Sequence, residues 1–130
     1  MPDKRKILAV DDNISNNEIV EEILSNEYEL KIATSGEQAL EILGDFKPDI
    51  ILLDIMMPEL DGYDTCLKIR ENPDMKDVTI IMVSAKGMAS DMYKGHEVGA
   101  DDYITKPFSQ EQLLESIEFF VEQKVGSDKD

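Results

Sequence analysis

Short, uninterrupted apolar runs are the feature that most restricts the fold of this chain. Ile7–Val10, Ile50–Leu53 and Thr79–Val83 consist almost entirely of aliphatic residues. A strand without polar alternation is buried on both faces, which is typical of a parallel sheet covered by helices. Tyr28–Ala33 is predicted to be a half-buried edge strand, because charged and apolar residues alternate along it. Asp102–Thr105 is predicted to be a fifth, weaker strand.

Helical patterns separate these runs. Three segments carry an apolar face at helical spacing: Ile19, Val20, Ile23 and Leu24; Ala39, Leu40 and Leu43; and Leu113, Leu114, Ile117, Phe120 and Val121. Each of these helices is preceded by a capping-box pattern, in the pairs Ser15/Glu18, Ser35/Gln38 and Ser109/Gln112. Two more helices are expected at about Tyr63–Glu71 and Met88–Glu97, the second weakened by its internal Gly95.

Strict alternation of strands and helices in 130 residues predicts one α/β domain. We expect a doubly wound, five-stranded parallel sheet of (βα)5 type. The half-polar second strand belongs at an edge, which suits the strand order 2-1-3-4-5 of flavodoxin-like folds. The domain is expected to cover residues 5–123, and residues 124–130 are expected to form a polar, frayed tail.

Charge and residue usage exclude several function classes. The net charge of −16 argues against direct contact with nucleic acid or an anionic membrane surface, because both require clustered positive charge. A single cysteine, Cys66, rules out an internal disulfide and suits a reducing, cytoplasmic location. The single His96 argues against a histidine metal cluster or a catalytic triad. No apolar run has the roughly 18 residues of a membrane span.

Polar side chains follow four of the predicted strands where each strand ends. Asp11 and Asp12 follow the first strand, Asp54 the third, Ser84 the fourth and Lys106 the fifth. One aspartate after a strand is usually a turn or capping residue. Ligands of open α/β sheets, however, bind outside the carboxyl ends of the strands. The five residues together therefore predict a site at this edge.

The residue types suggest phosphoryl chemistry. Three carboxylates repel one another unless a cation lies among them, and oxygen-only ligands suit Mg²⁺. Lys106 offers a point charge suited to a phosphoryl group. The sequence contains neither of the glycine-rich nucleotide-binding motifs. Because a carboxylate can act as a nucleophile and form an aspartyl phosphate, Asp54 on the central strand is the candidate acceptor.

The chain resembles a receiver domain of a two-component response regulator over residues 5–123. Four segments carry the resemblance: Asp11–Asp12 after ILAV, LLDIMMPELDG around Asp54, VSA at Val83–Ala85, and GADDYITKPF at Gly99–Phe108. The combination is specific, and none of the five site positions departs from the family pattern.

The resemblance implies roles for the site residues. Asp54 would accept a phosphoryl group from a phosphohistidine of a sensor histidine kinase or a phosphotransfer protein. Mg²⁺ would be bound by Asp12, Asp54 and the main-chain carbonyl of Met56, with Asp11 acting mostly through water. Lys106 would pair with the phosphoryl group.

Further roles concern the response to phosphorylation. Ser84 would move toward the phosphoryl group, and Tyr103 would change rotamer in step with it. The phosphoryl group is expected to contact the backbone at Ile55, Met56 and Ala85. The Lys106–Pro107 peptide is expected to be cis.

The implied function is a signal relay and not an enzyme acting on a separate substrate. The domain would assist its own Mg²⁺-dependent phosphotransfer and dephosphorylation. Its output would pass to a downstream domain or protein through the face formed by the fourth helix, fifth strand and fifth helix. Two alternatives stay open: a receiver domain cut from a larger enzyme such as a cyclase or hybrid kinase, and a phosphorylation-independent interaction module. A phosphorylation-linked homodimer stays open as the assembly of the relay.

Overall fold

The computed structural model describes residues 4–85 and 89–128, with side chains described for 4–85 and 93–123. The strands are β1 (Lys6–Val10), β2 (Glu29–Ala33), β3 (Ile50–Asp54), β4 (Thr79–Ser84) and β5 (Asp102–Thr105). The helices are α1 (Ile14–Leu24), α2 (Gly36–Ile42), α3 (Gly62–Glu71), α4 (Ala89–Glu97) and α5 (Gln110–Asp128). A short 3-10 turn, Pro73–Met75, precedes β4.

The five strands form one parallel sheet in the order β2-β1-β3-β4-β5, as predicted. β3 and β4 are buried along their whole length. In β2, Leu30 and Ile32 are half-buried and alternate with the exposed Glu29 and Lys31, which confirms the predicted edge strand. The apolar runs therefore reflect each strand's place in the sheet.

Successive residues of a strand point to opposite faces of the sheet, and each face has its own core. Ile51 and Leu53 pack with residues of α2 and α3, whereas Ile50 and Leu52 pack with residues of α1 and α5. Helices cover both faces, which explains why these strands tolerate no polar alternation. Asp54 continues the series of Ile50 and Leu52, so its position belongs to the α1–α5 side.

The predicted capping box of Ser109/Gln112 is confirmed, whereas that of Ser35/Gln38 is confirmed only for its N-cap, since Gln38 Oε1 accepts from the Thr34 N–H. The Ser109 N–H donates to Gln112 Oε1 at 2.8 Å, and the Gln112 N–H donates back to Ser109 Oγ at 3.0 Å. Ser35 Oγ accepts from the Gln38 N–H at 3.0 Å at the start of α2. These side chains satisfy backbone donors that a helix leaves unpaired in its first turn.

The predicted Ser15/Glu18 cap of α1 is wrong. Asn13 has extended backbone and is the N-cap, its Oδ1 accepting from the Asn16 N–H at 3.0 Å. α1 therefore starts at Ile14, and Ser15 already lies inside its first turn. A residue with helical backbone cannot be the N-cap, because the cap residue precedes the first helical residue.

The buried face of α1 also differs from the prediction. Val20, Ile23 and Leu24 pack against the α1–α5 core as expected. Ile19 is 51% exposed, and the buried position in the first turns belongs to Asn17 instead. The other two predicted apolar faces, on α2 and α5, contact the core.

The start of the fourth helix and the end of the fifth were also predicted from the sequence. The predicted start of the fourth helix, Met88, lies outside the described residues. α5 continues to Asp128, so the backbone of residues 124–128 is helical where we predicted a frayed tail. Once a helix is nucleated, each added residue contributes a further backbone hydrogen bond. Among the residues described, no helix combines the length and apolar character needed to cross a bilayer.

Candidate functional site

Three of the predicted site residues share one edge and one face of the sheet. Asp54 ends β3, Asp11 directly follows β1, and Lys106 directly follows β5. By alternation along their strands, Asp11 continues the series of Ala9, and Lys106 that of Ile104, both of which pack with α1 and α5. The fold thus brings together residues 95 positions apart, and Lys106 contacts Asp11.

Asp11, Asp12 and Asp54 form a carboxylate cluster in which one oxygen of each lies within 4.8 Å of the others. Asp11 and Asp54 are 8% and 5% exposed, whereas Asp12 is exposed. The donor set consists of oxygen atoms alone, which suits a hard divalent cation. The carboxylate cluster is therefore compatible with Mg²⁺.

Lys106 joins the carboxylate cluster to β4. Its Nζ lies 2.8 Å from Asp11 Oδ2 and 3.6 Å from Asp54 Oδ1. Its backbone N–H donates to the carbonyl of Ser84 at 2.8 Å. The Lys106–Pro107 peptide is cis, as the resemblance to receiver domains led us to expect.

The pKa of Asp54 is raised from its ordinary value of 3.8 to about 6, and burial is the largest cause. The negative charges of Asp11 and Asp12 also act to raise this pKa, while the Lys106 ammonium and a hydrogen bond from the Met56 N–H act to lower it. The upward causes prevail, so one ammonium group does not neutralise the carboxylate cluster. A cation placed among these oxygens would relieve the repulsion.

Three asparagines of the turn and first helical turn after β1 hold Asp11. The Asn13 N–H donates to Asp11 Oδ1 at 2.9 Å, and Asn16 Nδ2 donates to Asp11 Oδ2 at 3.2 Å. Asn17 Nδ2 donates to the Asp11 carbonyl at 2.8 Å. We did not identify these residues from the sequence. An available signal was Asn17, a polar residue three positions before Val20 on the apolar side of α1.

Gly62 is a second residue whose role the sequence did not reveal. Its N–H donates to the carbonyl of Ile55 at 2.9 Å, closing the loop after β3. A Cβ at this position would lie 2.4 Å from the Asp54 carbonyl oxygen and 2.6 Å from Ile55 Cα. Only glycine lets α3 begin this close to the end of β3.

Ser84 and Tyr103 lie toward the opposite face of the sheet. Ser84 is fully buried. It lies two residues after Met82 in β4 and therefore faces the same side of the sheet as Met82, which packs in the α2–α3 core. Tyr103 is half-buried and packs against that same core. A Cβ at Gly95 of α4 would lie 3.6 Å from both Met82 Cγ and the Tyr103 ring. Ser84 and Tyr103 therefore connect the site edge with the side of the sheet on which α4 lies.

The three backbone positions expected around a phosphoryl group directly follow Asp54 and Ser84. Ile55 is buried, whereas the side chains of Met56 and Ala85 are exposed. The hydrogen bond from the Met56 N–H to the Asp54 carboxylate places one of these donors at the site. The role of the Met56 carbonyl as a metal ligand stays a prediction.

Comparison with known proteins is consistent with this geometry. The family model of the response regulator receiver domain matches residues 7–118. Protein PilG of Pseudomonas aeruginosa is 41% identical over 120 residues, covering 92% of this chain and 89% of PilG. The probable transcriptional regulator ycf27 of Cyanophora paradoxa is 47% identical over 111 residues, covering 85% of this chain. This chain spans only 45% of the ycf27 protein, about half the length of several such relatives.

A solved structure agrees with the fold. The receiver domain of the sensor histidine kinase PA1611 of Pseudomonas aeruginosa, with a magnesium ion coordinated in its active site cleft, superposes with a TM-score of 0.84. It is 29% identical in sequence, and the match covers 91% of this chain and 98% of that one. On its family match, its sheet topology and its edge of acidic residues, the chain belongs to the receiver domains of two-component response regulators.

Proposed function

We propose that Asp54 is the phosphoryl acceptor, receiving its phosphoryl group from a phosphohistidine of a sensor histidine kinase or a phosphotransfer protein. One observation carries the proposal. Asp54 is the least exposed member of the carboxylate cluster, at the end of a central strand, with an ammonium group 3.6 Å from its Oδ1. No other aspartate among the described residues combines these features.

The transfer needs an ionised nucleophile. An Asp54 carboxylate oxygen attacks phosphorus, the phosphorus–nitrogen bond breaks, and its electron pair returns to the imidazole ring of the donor. A pKa of about 6 leaves most Asp54 side chains ionised at neutral pH. Burial also removes part of the hydration shell that would otherwise stabilise the carboxylate.

Mg²⁺ would be held by Asp11, Asp12 and Asp54, with Asp11 mostly through water and with the Met56 carbonyl as a further ligand. When bound, Mg²⁺ neutralises charge on the phosphoryl oxygens and aligns them for transfer. The oxygen-only carboxylate cluster supports this assignment. The magnesium ion of the PA1611 receiver domain is in keeping with it.

Lys106 and the adjacent backbone would bind the phosphorylated side chain. The ammonium group needs to shift from Asp11 toward Asp54 to pair with a phosphoryl oxygen. Backbone N–H groups at Ile55, Met56 and Ala85 would donate to the other oxygens. Fixed donors of this kind stabilise charge that develops during phosphoryl transfer.

The structural change caused by phosphorylation would pass from the site to β4 and β5. The Lys106 N–H donates to the Ser84 carbonyl at 2.8 Å, so a displacement of either residue affects the other. We propose that Ser84 then moves toward the phosphoryl group and that Tyr103 changes rotamer. This would shift a pre-existing equilibrium and alter the face formed by α4, β5 and α5.

The output would reside in another domain or another protein. We propose that the domain assists its own phosphotransfer and dephosphorylation in the cytoplasm and has no separate substrate. The match covers only 45% of the ycf27 relative, which supports an output in a further domain. It covers 89% of PilG, which supports an output in a separate protein. The proposal therefore includes a downstream partner at the α4–β5–α5 face without naming it.

Labelling by acetyl phosphate tests the acceptor. The wild-type chain should gain one phosphoryl group by mass spectrometry with Mg²⁺ and none with EDTA. Asp54→Asn should not be labelled, whereas Asp45→Asn, which changes an exposed aspartate before β3, should be labelled as wild type. Undiminished labelling of Asp54→Asn would contradict the proposal.

A further inference from the structure

Asn17 is a buried amide on a face of α1 that otherwise packs into an apolar core. It is 7% exposed, and its Oδ1 has no hydrogen-bond partner within the described part of the chain. It lines a small cavity beneath the site edge together with Asp54 and Lys106. Most of the remaining cavity lining is apolar and includes Val20, Leu52, Val83, Phe108 and Leu113.

This position is unfavourable for an amide. A buried polar atom without a partner loses its hydration and gains nothing in return, so an apolar side chain of similar shape would fit better. The cavity has about 20 Å³ of solvent-accessible volume, room for about one water, and ordering a water there also costs free energy. The amide therefore calls for an explanation beyond stability of the fold.

The hydrogen bond donated by the amide nitrogen, Nδ2, supplies that explanation. Asn17 Nδ2 donates to the Asp11 carbonyl at 2.8 Å, while the Asp11 N–H donates to the Ala33 carbonyl at 3.1 Å. The Asp11 carbonyl belongs to the peptide group that also contains the nitrogen of Asp12. Because a peptide group is planar, fixing its oxygen fixes the direction in which the chain enters Asp12.

Asp12 depends on this support more than its neighbours do. Its exposed carboxylate makes no hydrogen bond or ion pair with the rest of the described chain, whereas that of Asp11 accepts from Asn13, Asn16 and Lys106. The direction of the Asp12 side chain is therefore set by its backbone. The backbone is in turn held by Asn17.

We propose that Asn17 is a positioning residue for the cation site, holding the Asp11–Asp12 peptide so that both carboxylates face Asp54. This inference rests on the proposed Mg²⁺-dependent function of the carboxylate cluster. Asn17 itself does not contact the cation. Because the Asn17 Oδ1 has no partner within the described part of the chain, Asn17 lowers the stability of the fold while it orients the Asp12 carboxylate.

The substitution Asn17→Leu separates the two roles. Leucine fills the same space without a donor, which removes the unpaired Oδ1 but leaves the buried Asp11 carbonyl without its partner. The expected result, by calorimetric titration, is Mg²⁺ binding weakened about tenfold or more, the usual range for residues that orient metal ligands. The melting temperature without Mg²⁺ should stay close to that of wild type, because the loss of the unpaired Oδ1 offsets the loss of the hydrogen bond to the Asp11 carbonyl. Val20→Ile, one turn further along α1 in the same cavity, should change neither quantity appreciably.

Asn17→Ala provides the second arm. Alanine leaves a larger void and should lower the melting temperature, yet it should weaken Mg²⁺ binding to the same degree as Asn17→Leu. Wild-type affinity in either variant would overturn the inference, as would a loss of affinity that follows the fall in melting temperature. Failure of the wild-type chain to bind Mg²⁺ would contradict the proposed function itself. Binding by wild type and by both variants alike would contradict only the role of Asn17.

Discussion

The ammonium group of Lys106 donates to Asp11 Oδ2 at 2.8 Å, whereas Asp54 Oδ1 lies 3.6 Å away, beyond hydrogen-bond distance. In this state the ammonium group is hydrogen-bonded to Asp11 and forms only a longer ion pair with Asp54, the proposed acceptor. Asp11 Oδ2 also accepts from Asn16 Nδ2 at 3.2 Å, so it keeps a partner if Lys106 moves away. A phosphoryl group on Asp54 would add negative charge, which would attract the Lys106 ammonium away from Asp11 and toward Asp54.

Removing the ammonium group should therefore affect metal binding and phosphorylation in opposite directions. In Lys106→Met, Mg²⁺ no longer competes with an ammonium for Asp11, and binding should tighten at least about fivefold, equivalent to about 1 kcal/mol. Labelling by acetyl phosphate should slow, because the phosphoryl group loses its counter-charge. Calorimetric titration and labelling rates measure the two effects. Lys47→Met, at an exposed lysine, is the control, and unchanged or weaker Mg²⁺ binding in Lys106→Met would contradict the competition.

The raised pKa of Asp54 predicts how stability depends on pH without Mg²⁺. Because the folded-state pKa of about 6 exceeds the ordinary 3.8, the folded chain holds a proton that the unfolded chain releases. Asp54 should therefore lower stability progressively as pH rises from about 4 to about 6. At pH 7 the cost is on the order of 3 kcal/mol.

Urea denaturation of wild type and Asp54→Asn in EDTA measures this cost. The two curves should approach each other near pH 4, and Asp54→Asn should be the more stable chain at pH 7. Adding Mg²⁺ at pH 7 should raise the stability of wild type by about 2.7 kcal/mol at 100 times its dissociation constant, and that of Asp54→Asn much less. A wild type more stable than Asp54→Asn in EDTA at pH 7 would contradict the raised pKa.

Gly62→Ala should disturb the end of β3, the strand that carries Asp54. Its Cβ would lie 2.4 Å from the Asp54 carbonyl oxygen, and backbone atoms cannot move aside as a flexible side chain could. We expect a loss of about 1–3 kcal/mol in the free energy of unfolding. Gly95→Ala is a matched control with the opposite sign, since its Cβ would meet ordinary 3.6 Å contacts. It should stabilise α4 by up to about 1 kcal/mol, and equal effects of the two substitutions would refute the steric explanation.

The sequence was sufficient to predict features that depend on periodicity. The apolar runs of β3 and β4 and the alternation in β2 placed these strands in the sheet, and the strand ends then placed Asp11, Asp54 and Lys106 at one edge. These predictions needed only the geometry of a parallel sheet.

Features that depend on short distances could not be predicted in this way. Whether Lys106 donates its hydrogen bond to Asp11 or to Asp54 is decided by less than 1 Å. The capping of α1 by Asn13 in place of Ser15 follows from how sharply the chain turns after β1, which also brings Asn17 to the Asp11 carbonyl. The need for glycine at position 62 appears only when α3 is packed against the end of β3.

Ser84→Ala tests the proposed response separately from the chemistry. The Ser84 hydroxyl belongs to a fully buried residue that does not belong to the carboxylate cluster, so Mg²⁺ affinity should stay within about twofold of wild type. In wild type, beryllium fluoride with Mg²⁺ should change amide hydrogen exchange in β4, α4 and β5. Ser84→Ala should lose most of that change. A full response in this variant would remove Ser84 from the switch, and no response in wild type would favour an interaction module independent of phosphorylation.

Chemical trapping of the phosphorylated chain tests the central claim most directly. Borohydride reduces an aspartyl phosphate to homoserine, and peptide mass spectrometry then locates the modified position. After treatment with acetyl phosphate and Mg²⁺, the account predicts homoserine at position 54 alone and none after treatment with EDTA. Homoserine at Asp11 or Asp12, or its absence from position 54 in a chain that binds Mg²⁺, would contradict it.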